Sequence, residues 1–278
     1  MCRFIAYLGP PMRLDALVTR PANSLIHQSY DSQERAEPLN GDGFGVAWYM
    51  PSIQASPVVY RSITPAWNDR NLLALAPVTV SQCVFAHVRA ASPGLGVTQT
   101  NCHPFQHGPY AFMHNGYIGD FASIRRRMLQ SVSDTAYDLV EGTTDSETMF
   151  AVFADALGDR TGLEAMADAI METVHCVTRL TAGAVSQLNL AVTDGYNAVF
   201  TRHCTANETE PNSLYVSTGR EYICLGDECR MVSPAERGAA VVVSSEKLSD
   251  DPSWERVAAS TMVLVSADGE VQYRPVEA

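Results

Sequence analysis

No apolar run in this 278-residue chain approaches the ~20 residues that a helix needs to cross a bilayer, so a helical membrane span is excluded. The start also lacks a basic segment leading into a long apolar core. Arg3 and Arg13 interrupt it and Gly9-Pro10-Pro11 breaks it early, so no secretory leader is expected. Positive charge is scarce: 19 Lys and Arg stand against 31 Asp and Glu, a formal charge of −12, which argues against a general phosphate-binding surface and hence against a nucleic-acid partner. Repeats and low-complexity linkers are missing, and the loop at residues 249–253 is followed by more strand-like sequence. Residues 2–278 are therefore expected to form one domain, with Met1 removed. The seven cysteines, at 2, 83, 102, 176, 204, 224 and 229, are an odd and scattered set in a chain too large to need disulfide staples, which fits a reducing cytoplasm.

What is present reads as an ordinary globular protein, 46% hydrophobic and 18% charged. An apolar strand starts the chain, and Gly9-Pro10-Pro11 is expected to turn it ahead of a short helix at 12–18. Residues 21–40 show no period and are expected to be a loop. Strands are expected at 46–49 and 58–62 as a pair, at 83–89 and at 110–113, with a helix at 68–76. Asp120 is placed to cap a helix over 121–130, whose polar face holds Arg125, Arg126 and Arg127. Thr144-Asp145-Ser146-Glu147 has the form of a capping box ahead of Met149, Phe150, Val152 and Phe153. A second helix at 163–180 follows, then strands at 188–192 and 198–201 around Asp194-Gly195, and short strands near 213–218, 239–243, 262–266 and 271–274. Strands, then paired helices, then strands, without regular βα alternation, indicate an α+β fold with mainly antiparallel sheets.

Several chemistries are poorly supported. Gly41-Asp42-Gly43-Phe44-Gly45 has the wrong spacing for a dinucleotide fingerprint and enters a strand, so it reads as a tight turn. Cys83, His87, Cys102, His103, His107 and His114 carry metal-ligating atoms, but Pro104 and Gly108 keep 103 and 107 off one helical face, and no metal is expected. No Gly-x-Ser-x-Gly elbow is present.

Four places remain. Cys2 behind a removable Met1 would carry its own base, since an α-amino group (pKa about 8) and a thiol (about 8.5) exchange a proton near neutral pH; otherwise it is a small apolar residue near a chain end. Arg89 at a strand end offers a planar fork to a carboxylate, or makes a surface ion pair. Asn115-Gly116 is either a turn dipeptide or a pair of donors, side-chain amide and backbone N–H, for an oxyanion. Asp145 is either a helix cap or a carboxylate for an ammonium group.

Taken in order, Met1-Cys2, His87-Val88-Arg89-Ala90-Ala91-Ser92, His114-Asn115-Gly116 and Thr144-Asp145-Ser146-Glu147 resemble the class II glutamine amidotransferases of the N-terminal nucleophile hydrolase superfamily. Residues 40–49, 63–67 and 100–105 resemble the stand-alone members. The resemblance implies a four-layer αββα sandwich with two antiparallel sheets and hydrolysis of the γ-amide of glutamine or another γ-glutamyl compound, glutathione-like peptides included, with no cofactor. It implies Cys2 as nucleophile, Asn115 and Gly116 as oxyanion donors, and Arg89, Asp145 and Ser92 as contacts to the glutamyl end. The turn Ala90-Ala91-Ser92-Pro93 departs from the Trp-Ala-Thr-His of synthase-linked relatives. A separate partner subunit or a homo-oligomer is expected to complete the activity. The competing expectation is a non-catalytic regulatory or interaction subunit with the same fold.

Overall fold

The computed structural model describes residues 2–35, 37–91, 96–181, 183–206, 208–226, 228–232 and 240–277. The chain begins with β1 (Arg3–Arg13), α1 (Asp15–Val18), α2 (Leu25–Tyr30), β2 (Phe44–Trp48), β3 (Val58–Ser62), α3 (Arg70–Leu75) and β4 (Val80–Val88). Next come β5 (Phe105–His107), β6 (Tyr110–Tyr117), α4 (Phe121–Gln130), α5 (Asp134–Tyr137), α6 (Asp145–Leu157) and α7 (Leu163–Thr181). The remainder is β: β7 (Gln187–Thr193), β8 (Ala198–Arg202), β9 (Tyr215–Gly219), β10 (Glu221–Leu225), β11 (Glu228–Val232), β12 (Ala240–Ser244), β13 (Trp254–Arg256), β14 (Thr261–Val265) and β15 (Val271–Pro275).

The strands pair antiparallel into two large sheets, in the orders β13-β9-β12-β1-β4-β2-β3 and β15-β14-β8-β7-β6-β5, with β10 and β11 as a separate hairpin. Side chains alternate between the two faces of a strand, and both faces of these strands are apolar, so each sheet is covered twice. Phe4, Ala6, Phe85, Met113, Phe200 and Val243 fill the layer between the sheets. Ile5, Tyr7, Val84 and Val242 face α1, α2, α3 and the hairpin through Leu17, Leu25, Leu72 and Met231. Phe112, Leu190 and Val192 meet α4, α6 and α7 through Met128, Phe150 and Ile170. The result is the expected αββα arrangement.

Several local expectations differ from the structure. Gly9-Pro10-Pro11 does not turn the chain: β1 runs on to Arg13, and its register against β4 shifts between Leu8 and Met12, so the Pro pair is absorbed in an irregularity and the helix shrinks to α1. The loop expected at 21–40 contains α2, capped by Ser24, whose side chain accepts from His27 N–H at 3.3 Å; six residues are too few to show a period. Asp120 precedes α4 but has φ 52° and makes no side-chain cap. The capping box is half formed: Thr144 Oγ1 accepts from Glu147 N–H at 3.1 Å, while the Glu147 carboxylate turns to the N–H groups of Glu141 and Gly142. Cys224 and Cys229, opposite each other in the β10–β11 hairpin, form a disulfide, contrary to the all-thiol expectation. No described helix is long and apolar enough to cross a membrane.

Candidate active site

The period of two along each strand decides what faces the layer between the sheets. Phe4, Ala6 and Leu8 of β1 point there, so Cys2, next in the series, shares their face. The same count along β4 runs from Cys83 and Phe85 to His87 and Arg89, and along β6 from Ala111 and Met113 to Asn115. At one end of the sandwich the apolar layer thus gives way to polar side chains from three strands. Register brings two of them together: Arg3 pairs with Val88, which sets Cys2 opposite Arg89, and Cys2 Sγ lies 3.8 Å from the Ala90 carbonyl oxygen. Cys2 is 8% exposed.

Arg89 is buried at 3% exposure, against its reading as a surface ion pair. Its Nη1 and Nη2 donate to the carbonyls of Asp42 and Gly96, both at 3.4 Å, and no salt bridge to it occurs among the described residues. A buried guanidinium held by two long hydrogen bonds to neutral oxygens keeps donors for an incoming anion. The turn after it is fixed by Asp42, whose carboxylate accepts from Ala91 N–H at 2.8 Å and whose own N–H donates to Arg89 O at 2.9 Å. In the sequence Asp42 reads as part of a glycine turn; the available signal is a carboxylate between two glycines at a strand entry. Ser92 lies outside the described residues.

Asn115 is fully buried. Its Nδ2 lies 3.3 Å from Ser245 Oγ, and its Oδ1 has no partner among the described residues. Ser245, just past β12, also accepts from Phe4 N–H at 3.0 Å, and so ties Asn115 to the first peptides of the Cys2 strand. Gly116 sits where β6 presses on β7: a Cβ there would run into the carbonyl oxygen of Gln187 and into His114 Nε2. Close approach, rather than a positive φ, requires glycine here. Asp145 opens α6 and is partly buried; Oδ2 accepts from Ile118 N–H and Oδ1 from Ser146 N–H, each at 2.8 Å, which anchors the end of β6 to the start of α6. Thr144, not Asp145, provides the side-chain cap.

Three buried histidines surround this end. His87 and His103 stack with ring centroids 4.0 Å apart. His87 Nδ1 and both nitrogens of His103 lack partners among the described residues. His114 bridges Ser146 Oγ and Gln187 O, each at 2.9 Å, and Ser146 Oγ reaches Asp145 at 3.2 Å. Burial pushes His87 down to about 3, His103 well below the ordinary imidazole value, and His114 down against the charge of Asp145. Burial thus favours the neutral imidazole in all three. No cluster of three or more metal-ligating side chains occurs among the described residues.

Behind Cys2, on the opposite face of β1, Arg3 and Glu246 form a buried ion pair, Nε to Oε1 2.6 Å. Glu246 also accepts from Ser32 Oγ, Gln33 N–H and Glu34 N–H, and Arg3 Nη1 donates to the Cys2 carbonyl at 3.0 Å. Neither partner was singled out in the sequence, since no local spacing connects residues 243 apart.

Comparison with known proteins gives the family and the fold. Residues 19–277 match the family described as glutamine amidotransferases class-II; β1 and Cys2 lie before that match. The probable glutamine amidotransferase DUG3 of Saccharomyces cerevisiae is 38% identical over 95% of this chain and 82% of its own length. The gamma-glutamyl-hercynylcysteine sulfoxide hydrolase of Mycolicibacterium smegmatis is 28% identical over 92% of each chain. A glutamine aminotransferase class-II domain protein from Silicibacter pomeroyi has a similar structure, TM-score 0.67 at 25% identity over the whole of both chains. In fold alone, the glutamine phosphoribosylpyrophosphate amidotransferase of B. subtilis is similar over 99% of this chain and 49% of its own, TM-score 0.59 at 14% identity. With the family match spanning most of the sequence, the chain belongs to the class-II glutamine amidotransferases.

Proposed function

We propose that the protein hydrolyses the γ-amide bond of glutamine or of a larger γ-glutamyl compound through a thioester on Cys2. The observation that carries this reading is the convergence of Cys2, Arg89 and Asn115 on one buried face, with the thiol strand opposite Arg89 and Asn115 tethered to Phe4 through Ser245. In this mechanism Met1 is removed and the freed α-amino group of Cys2 takes the thiol proton. Arg89 holds the substrate α-carboxylate, Asp145 the α-ammonium, and the γ-carbonyl carbon faces the sulfur.

Attack forms the C–S bond and places negative charge on the carbonyl oxygen, which Asn115 Nδ2 and Gly116 N–H stabilise. The C–N bond then breaks, the amine leaves with the proton from the α-ammonium of Cys2, and a γ-glutamyl thioester remains. Water, activated by the same amino group, hydrolyses the thioester and releases glutamate. Substrate class is read by a hydrolysis screen with glutamine, glutathione and other γ-glutamyl amides, following glutamate release. Glutamate release from at least one of them supports the reading, and release from none by the processed protein removes it.

A further inference from the structure

The two ends of the Asn115 amide are unequally satisfied. Nδ2 lies 3.3 Å from Ser245 Oγ, whereas Oδ1 is buried without a partner among the described residues. Ser245 Oγ already accepts the Phe4 N–H at 3.0 Å, and the Ser245 N–H donates to the Phe4 carbonyl at 3.0 Å. A serine hydroxyl carries one proton to donate as well as lone pairs to accept. When it accepts from both Phe4 and Nδ2, its proton has no acceptor among the described residues, while the oxygen of the same amide stands unpaired. A half-turn of the amide, which leaves its shape unchanged, resolves both: Ser245 O–H donates to Asn115 Oδ1, and both protons of Nδ2 become free.

We infer that Ser245 is the positioning residue of the Asn115 amide, its hydroxyl holding Oδ1 so that Nδ2 is turned toward the reacting carbonyl. This rests on the role proposed above for Asn115. An amide oxygen facing an oxyanion repels it, so the orientation set by Ser245 decides whether Asn115 helps or hinders. The tether also joins the donor to the nucleophile's strand: the same oxygen receives the N–H of Phe4, two residues from Cys2. Among the described residues no hydrogen bond joins Ser245 to the Cys2 thiol, whose Sγ lies near the Ala90 carbonyl oxygen.

A neutron structure of the deuterated wild-type protein reads the orientation without turnover. A deuteron on Ser245 Oγ directed at Asn115 Oδ1 supports the inference, and Nδ2 deuterons directed at Ser245 Oγ overturn it. Kinetics of Ser245→Ala, Asn115→Ala and the double variant read the role. Loss of an oxyanion donor lowers kcat by about 10²–10³-fold, so Ser245→Ala is expected to lose about 10- to 100-fold in kcat with KM nearly unchanged, and the double variant to be no slower than Asn115→Ala. Wild-type kcat in Ser245→Ala, or losses that multiply in the double variant, overturns the role. Should the processed wild-type protein hydrolyse no γ-glutamyl amide, the proposed function falls, while the neutron structure still decides the orientation.

Discussion

Arg3 and Glu246 are joined across the back of β1, Nε to Oε1 2.6 Å, with side chains only 2% and 1% exposed. Burial alone would raise the Glu246 carboxyl, but Arg3, the Ser32 hydroxyl and the Gln33 N–H outweigh it and hold it below the usual range. Glu246→Ala would leave a buried guanidinium uncompensated, which costs about 3–5 kcal/mol. Urea unfolding of the variant is expected to show that loss. A change below about 1 kcal/mol would mean that water or another carboxylate reaches Arg3.

Arg89 is expected to act on substrate binding. In Arg89→Lys the charge remains but the planar fork is lost, and hydrogen bonds to a charged group are worth about 1.5–3 kcal/mol. Steady-state kinetics should show kcat/KM for glutamine reduced roughly 10- to 150-fold, chiefly through KM. An unchanged KM would place the α-carboxylate elsewhere.

Gly116→Ala is expected to be poorly tolerated, because the new methyl group meets the Gln187 backbone oxygen as well as the His114 ring, and the backbone cannot rotate aside as a side chain can. The β6–β7 pairing, in which Gly116 stands opposite Leu188, would have to open. A drop of several degrees in Tm, with loss of turnover, is the expected result; wild-type stability would show that β7 yields freely.

The buried histidines make stability depend on pH. His87 has its folded pKa lowered to about 3, and His103 and His114 are lowered in the same direction, all primarily by burial. Between about 6.5 and these lower values the unfolded chain binds protons that the folded chain does not, so stability is full above about pH 6.5 and falls as pH drops. Each such proton contributes up to about 1.4 kcal/mol per pH unit. Tm measured from pH 7 to pH 4 should fall steadily, and His87→Gln should flatten the slope relative to wild type. An equal slope would assign the acid sensitivity to other groups.

The fold was legible where elements are long or pair locally. α7 and the strand pair β2–β3 follow from period and turn residues, and β7 with β8 flank Asp194-Gly195 as expected. Short elements escaped: α2 and α5 offer too few residues for a period, and β10, β11 and their disulfide sit in a stretch without clear alternation. In the site, the residue types that carry reactive atoms were visible in sequence, and the structure brings Cys2, Arg89 and Asn115 onto one face. Ser245, Glu246 and Asp42 were not visible, because each acts through a backbone group or side chain distant in sequence.

In the proposed reaction Cys2, freed of Met1, is the nucleophile. Intact-mass and peptide analysis after treatment with a diazoketone analogue of glutamine tests it most directly. The expected result is a chain lacking Met1 that gains one adduct, located on Cys2, with none in Cys2→Ala. A correctly processed chain that gains no adduct, or gains it on Cys83, Cys102, Cys176 or Cys204, would contradict the account; the first outcome would favour a non-catalytic member of the fold.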